Sequence, residues 1–112
     1  MSHTPTMLSA TSINGDKVVN PQGEDLGKIE DLMIDLESGT VRYAVMSFGG
    51  FLGMGDKLFA VPMDALHVKS GDEAFVLNAT EEKLKNAPGF DKDDWPNFAD
   101  PAFDQRIRAH YA

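Results

Sequence analysis

A glycine-rich segment is the first place in the sequence where the residue types could do chemistry. Residues 49–57 read GGFLGMGDK, and backbone N–H groups in such loops can bind phosphate. A nucleotide-binding loop of this type needs Gly-Lys-Ser/Thr at the start of a helix. Here Asp56 separates Gly55 from Lys57, and a strand pattern follows. We therefore expect no nucleotide site.

The same segment offers a second interpretation, as a surface for contact with another protein. Its glycines permit a tight connection between strands that leaves Phe51, Leu52 and Met54 at or near the surface. Exposed apolar side chains on such a loop are a reasonable docking site. The alternative is that these side chains pack against the C-terminal part of the same chain, and the sequence leaves both open.

Three acidic residues near the C-terminus suggest calcium. An EF-hand loop places acids or amides at its positions 1, 3 and 5, with glycine at position 6. In the segment that begins at Asp91, the third position is Asp93 and the fourth is Asp94. Trp95 is at the fifth position and Pro96 at the sixth. We expect no metal here, and a turn capped by Asp93 or Asp94 is the simpler interpretation.

Other catalytic arrangements are also lacking in the sequence. His3, His67 and His110 are far apart and have no ligand spacing. The chain has no cysteine, which removes thiolate catalysis and thiolate metal sites. Glu30 and Asp31 on a strand are more simply a solvated edge. We therefore expect that the protein is not an enzyme and binds no cofactor.

Size and charge exclude further classes. The chain has 112 residues, with 18 acidic and 10 basic side chains and a formal net charge of −8, which suits one acidic domain. Phosphate backbones need Lys and Arg, so no direct nucleic-acid binding is expected. No apolar run approaches the roughly 20 residues of a membrane span, and the N-terminus does not have a secretory pattern. We expect a cytoplasmic protein without membrane insertion.

Residues 23–62 read as short strands folded on themselves. In the strand before the turn at 37–40, Ile29 is out of phase with Leu32, Ile34 and Leu36. A strand alternates with period two, so apolar residues three apart on one face require one extra residue. We predict a β-bulge near Glu30 and Asp31.

The next strand is apolar on both faces. Tyr43 and Val45 alternate with Ala44, Met46 and Phe48, a pattern typical of a strand covered on both sides. Either the C-terminal part of the chain or a second subunit must therefore cover the outer face of the sheet.

The rest of the chain divides into a tail, the strands and an arm. We expect residues 1–12 to be a flexible tail, 13–16 a turn, 17–19 a strand and 67–77 a hairpin turning at 70–72. These make a β domain over 13–78, and short strands with glycine turns are typical of a small, highly curved barrel. The fold class is mainly β, with a short C-terminal helical extension.

The C-terminal arm, residues 79–112, has helix signals and many aromatic residues. Thr80 is a predicted N-cap of a short helix that ends before Pro88. Residues 90–98 are expected to be irregular, and Asp100 to cap a last helix that begins at Pro101. An apolar stripe on that helix is formed by Phe103, Ile107 and Tyr111. The arm is too apolar for a linker, and we expect it to pack on the barrel or on a partner.

Several motifs together resemble the PRC-barrel family, named for the photosynthetic reaction centre H subunit. They are GKIED (27–31), ID (34–35), RYAV (42–45), FGGFLG (48–53), AVP (60–62) and FDKDDWP (90–96). The last is similar to the tail of small stand-alone bacterial members. The resemblance implies a small, highly curved barrel that serves as an interaction module. In one family context it lies on the cytoplasmic face of a membrane complex, and in another it meets a ribosomal protein.

The expected function is therefore a non-enzymatic adaptor that binds a protein partner and forms a homodimer. Alternatives are a barrel that binds a small ligand and a ribosome-associated accessory factor. The residues expected to contact the partner are Phe48, Phe51, Leu52, Met54, Trp95 and Phe98. No catalytic, cofactor-binding or metal-binding residue is expected.

Overall fold

The computed structural model describes residues 9–48, 57–69 and 74–111. Its strands are β1 (Lys17–Val19), β2 (Asp25–Asp35), β3 (Thr40–Ser47), β4 (Lys57–Pro62), β5 (Leu66–Lys69), β6 (Ala74–Leu77) and β7 (Gly89–Asp91). Its helices are α1 (Ala10–Ile13), α2 (Glu81–Lys85) and α3 (Pro101–Tyr111), and one 3-10 turn lies at Met63–Ala65.

All seven of these strands belong to one sheet, in the order β5-β6-β1-β2-β3-β4-β7. Neighbours pair antiparallel except β1 and β6, which are parallel. Within the described residues, β5 and β7 are the two edges and do not pair with each other. The mainly β fold with a helical extension is confirmed, whereas the closed, highly curved barrel is not.

The predicted bulge in β2 is confirmed. Ile29 pairs with Met46 and Asp31 pairs with Val45, so Glu30 is the extra residue on β2. The bulge brings both Ile29 and Leu32 to the same hydrophobic core in spite of their spacing of three. It also bends the strand, which pairs with β1 near its start and with β3 along the rest.

One glycine is required where β2 changes its pairing from β1 to β3. Gly27 has a φ of 143°, and a Cβ built there would lie 1.9 Å from the backbone oxygen of Ser47. No L side chain fits so close to a neighbouring strand. The glycine therefore permits the two strands to approach each other at this point.

Each face of the sheet packs against its own core, as the two-sided pattern of β3 predicts. Ala44 and Met46 face the larger core, which α2 covers through Leu84. Tyr43 and Val45 face a smaller core on the other side. The residues of the smaller core are Tyr43, Val45, Leu58, Ala60, Phe90, Phe103 and Ile107. The arm of the same chain therefore covers the outer face.

Both predicted helix caps in the arm are confirmed. The Thr80 hydroxyl accepts a hydrogen bond from the N–H of Lys83 at 3.1 Å. The Asp100 carboxylate accepts from the N–H of Ala102 at 3.0 Å, and Pro101 is the first residue of α3. These caps satisfy backbone donors that a helix leaves without partners.

Two short elements differ from the sequence interpretation. Helix α1 replaces part of the expected tail and turn, and Ser9 caps it. Strand β7 forms in the segment expected to be irregular, because Phe90 pairs with Leu58 of β4. The arm thus adds a strand to the sheet as well as covering it. The glycine-rich loop at 49–56, the turn at 70–72 and the first eight residues lie outside the described residues.

Candidate functional site

An open groove lies beside the hairpin formed by β2 and β3. It has a volume of about 440 Å³ and is lined by residues 33–37, Arg42, Tyr43, Phe98 and Ala99. The hairpin therefore supplies one wall, and the segment that leads into α3 supplies the other.

The groove has an apolar floor and an apolar rim. Met33 and Phe98 pack against the small core beside Tyr43, whose ring centroid lies 5.6 Å from that of Phe98. At the rim, the side chains of Ile34 and Leu36 are 53% and 91% exposed. Large apolar side chains left in water next to a groove are typical of a surface that contacts another molecule.

Arg42 crosses the groove and joins the hairpin to the arm. A second register shift pairs Met33 with Tyr43 and Ile34 with Val41, which leaves Arg42 as the extra residue on β3. Its guanidinium lies 3.3 Å from a carboxylate oxygen of Asp35 and 3.3 Å from one of Asp104 on α3.

The two carboxylates that Arg42 contacts both stay ionised to low pH. The N–H of Glu37 donates to Asp35 at 3.0 Å, and this bond is the main reason that the pKa of Asp35 lies below its usual value. A hydrogen bond from the Tyr43 hydroxyl is the main reason that the pKa of Asp104 is lowered. Both side chains can therefore hold Arg42 over the neutral pH range.

The network continues from Asp104 to the 3-10 turn that follows β4. Arg108 lies 3.1 Å from Asp104, as the i, i+4 spacing predicts, and 3.2 Å from Asp64. Burial and the bond to Asp104 raise the pKa of Tyr43 to about 12, so this hydroxyl keeps its proton at neutral pH. These polar groups form hydrogen bonds and ion pairs with one another and hold α3 against the sheet. The apolar rim is the part of the groove left for contact with another molecule.

Two of the residues expected to contact a partner lie in an aromatic cluster of the arm. Phe98 lines the groove and contacts Trp95, with ring centroids 6.0 Å apart. Trp95 is 39% exposed, and its Nε1–H donates to the carbonyl of Lys92 at 2.6 Å. Phe98 thus belongs to the candidate site, and Trp95 supports it from one side.

The other expected contact residues do not reach this groove. Phe48 is only 5% exposed and packs edge-on against Phe59 in the larger core, so it is not available for docking. Phe51, Leu52 and Met54 lie outside the described residues.

The sequence interpretation did not identify Ile34, Leu36 and Arg42 as site residues. A signal was present for the first two, because they directly precede the turn at 37–40, where a hairpin extends past the core. No local signal identified Arg42, since its partner Asp104 lies far along the chain.

Neither a metal cluster nor a membrane-spanning helix is found within the described residues. Among residues 9–48, 57–69 and 74–111, no group of His, Cys, Asp and Glu side chains is arranged to hold a metal ion. No helix in this part of the chain has the length and apolar character needed to cross a membrane.

Comparison with known proteins gives the family. The family model for the PRC-barrel domain matches residues 5–84, which extend from before α1 into α2 and leave β7 and α3 outside. No curated protein matches the chain. Because the matched range is well over half of the sequence, the chain belongs to the PRC-barrel domain family.

Proposed function

We propose that this protein is a non-enzymatic interaction module that binds a protein partner through the groove beside the β2–β3 hairpin. The observation that carries the proposal is the exposure of Ile34 and Leu36 on the rim of an apolar groove. Complete burial of an exposed side chain of this size contributes about 1.5–3 kcal/mol, so Leu36 contributes more than the half-buried Ile34. A cytoplasmic location is part of the same proposal, and fractionation of cells tests it.

The electrostatics of the groove support a binding role over a reactive one. Arg42, Asp35 and Asp104 are bound to one another, and Tyr43 keeps its proton, since its pKa is about 12. A general acid or base works best with a pKa near the working pH. A partner that covers this groove meets apolar surface together with charges that already have partners.

Partner capture by a variant of the rim tests the proposal. Ile34→Ser/Leu36→Ser should retain the wild-type melting temperature, because both side chains are exposed, and should lose the proteins that wild type captures from native lysate. A control variant, Glu82→Ser/Lys85→Ser, changes two exposed residues of α2 and should retain them. Unchanged capture by the rim variant would contradict the proposal.

The glycine-rich loop is tested in the same way. Phe51→Ser/Leu52→Ser removes two of the apolar side chains that the sequence predicts as partner contacts. If this variant alone loses the captured proteins, the partner docks on the loop and the proposed groove is wrong.

A homodimer is part of the same proposal. The outer face of β3 is covered by α3 of the same chain, so a second subunit is not needed there. The proposed dimer contact is therefore the apolar loop at 49–56. Sedimentation that gives only the monomer mass at tens of micromolar protein would remove it.

A small apolar ligand is the second candidate occupant of the groove. The volume of about 440 Å³ lies within the range of about 300–1,000 Å³ usual for ligand sites. A thermal-shift screen checks this, and a reproducible rise in melting temperature that Ile34→Ser/Leu36→Ser abolishes would favour the ligand.

A further inference from the structure

Among the described residues, no strand lies beside one edge of β2 for most of its length. Strand β1 pairs only with the beginning of β2, from Asp25 to Lys28. The backbone of Ile29 is used by the preceding turn, because its N–H donates to Asp16 at 2.9 Å and its carbonyl accepts from Gly15 at 2.7 Å. Over 30–35, β2 has β3 on one side and no described strand on the other.

This edge is open to an incoming backbone. The N–H of Leu32 donates to the carboxylate of its neighbour Asp31 at 2.8 Å and so has a local side-chain acceptor, which a carbonyl of another chain can replace. The edge strands at the two ends of the sheet, β5 and β7, have four and three residues, fewer than the six of 30–35. Only the β2 edge leads directly to Ile34 and Leu36, the exposed rim of the groove.

The acidic residues along this edge decide what can pair with it. Like charges directly opposite each other destabilise paired strands. Directly opposite residues of an antiparallel pair have their side chains on the same face of the sheet, so two copies of this edge that meet at Met33 place Asp31 opposite Asp35 at both ends. Charges of this kind are a known protection of edge strands against self-pairing.

A basic extended segment would be attracted to this acidic edge, where a second copy would be repelled. A lysine or arginine residue opposite Asp31 gains a favourable cross-strand pair, and the apolar residues that follow it meet Leu32 and Ile34. The net charge of −8 adds attraction for a basic partner over longer distances.

We propose that the edge of β2 over 30–35 binds an extended, basic segment of the protein partner as an added β-strand. This inference rests on the proposed function and gives the mode of binding and the chemistry of the partner. Backbone hydrogen bonds to β2 supply affinity, and alternate side chains supply specificity, as in other cases of strand addition.

A short labelled peptide tests the inference. The probe is a fluorescein-labelled peptide with the core Lys-Val-Thr-Val-Lys, which reads the same in both directions and therefore suits either strand orientation. The matched control is Glu-Val-Thr-Val-Glu. Fluorescence polarisation should show binding of the lysine peptide and at least about tenfold weaker binding of the glutamate peptide, because like charges are then opposed. The difference should shrink at high salt.

Backbone methylation separates strand addition from simple charge attraction. Two further lysine peptides carry N-methyl groups on alternate residues, one at odd and one at even positions. In a strand, only one of these sets faces β2, so one peptide should lose at least about tenfold in affinity while the other keeps it. Amide hydrogen exchange on the bound protein should show added protection within 30–36. Equal binding by both methylated peptides, or protection only elsewhere, would overturn the inference.

Charge reversal in the protein completes the test. Asp31 is exposed, and Asp31→Lys should shift the preference toward the glutamate peptide while the melting temperature changes little. No binding of the lysine peptide at millimolar concentration overturns strand addition. If Ile34→Ser/Leu36→Ser still abolishes partner capture in that case, the proposed function stands without it. If wild type captures no protein, the proposed function itself is wrong.

Discussion

Tyr43 on β3 donates its hydroxyl proton to Asp104 on α3, across a separation of 61 residues in the sequence. Asp104 also accepts from Arg42 on the same strand and from Arg108 on its own helix. The Asp104 carboxylate thus joins β3 to α3, a helix that lies beyond the family match. Exposed ion pairs contribute little individually, so the partly buried bond from Tyr43 is the contact we expect to matter most.

Replacing Tyr43 by Phe should weaken this connection. The ring remains in the small core, but Asp104 loses the main hydrogen bond that keeps its pKa low. Hydrogen bonds to charged groups contribute about 1.5–3 kcal/mol, so we expect a loss near the lower figure in the free energy of unfolding. Urea denaturation measures it, and a stability equal to wild type would show that the bond contributes nothing.

Tyr111 offers a matched variant with the opposite expectation. Its hydroxyl is buried without a hydrogen-bond partner in the described residues, and burial raises its pKa. Removing an unsatisfied buried hydroxyl relieves a cost of desolvation. Tyr111→Phe should therefore be neutral or stabilising by up to about 1 kcal/mol. A loss as large as that of Tyr43→Phe would reveal a partner that this structure does not have.

The arm should loosen in acid because of Asp104. Its pKa is lowered in the folded protein, so its contribution to stability is present above the unfolded pKa of about 3.9. That contribution is lost as the pH falls through the lower, folded value. Asp104→Asn should be less stable than wild type at pH 7, and the difference should shrink toward pH 2. Denaturation at several pH values checks this, and a constant difference would contradict it.

The packing of α3 is tested at Ile107, which is fully buried in the small core. Ile107→Ala should cost about 2–5 kcal/mol because it leaves a cavity. Hydrogen exchange should increase first in α3 and β7. A hydrophobic dye should bind the outer face of β3, which the loosened helix then exposes. Gln105→Ala, an exposed position on the same helix, is the control and should change little.

Two glycines compare backbone strain alone, at Gly39, with strain and steric contact together, at Gly27. At Gly27 an added Cβ meets the backbone of Ser47, whereas at Gly39, with a φ of 72°, it meets nothing. Gly39→Ala should cost about 1–2 kcal/mol, the strain of a left-handed residue. Gly27→Ala should cost more, about 3 kcal/mol or beyond. Thermal melts compare them, and equal losses would show that the strands can separate at Gly27.

Local signals were sufficient for several elements. The cap residues Thr80 and Asp100, the stripe that includes Phe103 and Ile107, and the bulge at Glu30 all follow from spacing and side-chain chemistry within a few residues. Each depends on interactions that the neighbouring sequence itself contains. These elements could therefore be predicted with no knowledge of the rest of the fold.

Elements that depend on distant partners were not predictable in this way. Strand β7 forms because Phe90 pairs with Leu58 on β4. The sequence around Phe90 contains no signal of this pairing. The groove likewise combines the hairpin with Phe98, and Arg42 with Asp104. Phe48 was misplaced for the same reason, since only the three-dimensional structure shows Phe59 beside it.

The extra residue at Glu30 has a consequence for deletions. Deleting one residue from a strand normally moves every later side chain to the opposite face of the sheet. Here, shortening the strand at Glu30 would leave Ile29 and Leu32 two apart, the natural repeat of an unbroken strand. The inward and outward order would survive, and only the curvature would be lost. Glu30 therefore determines the curvature of the sheet and not the alternation of buried and exposed side chains along β2.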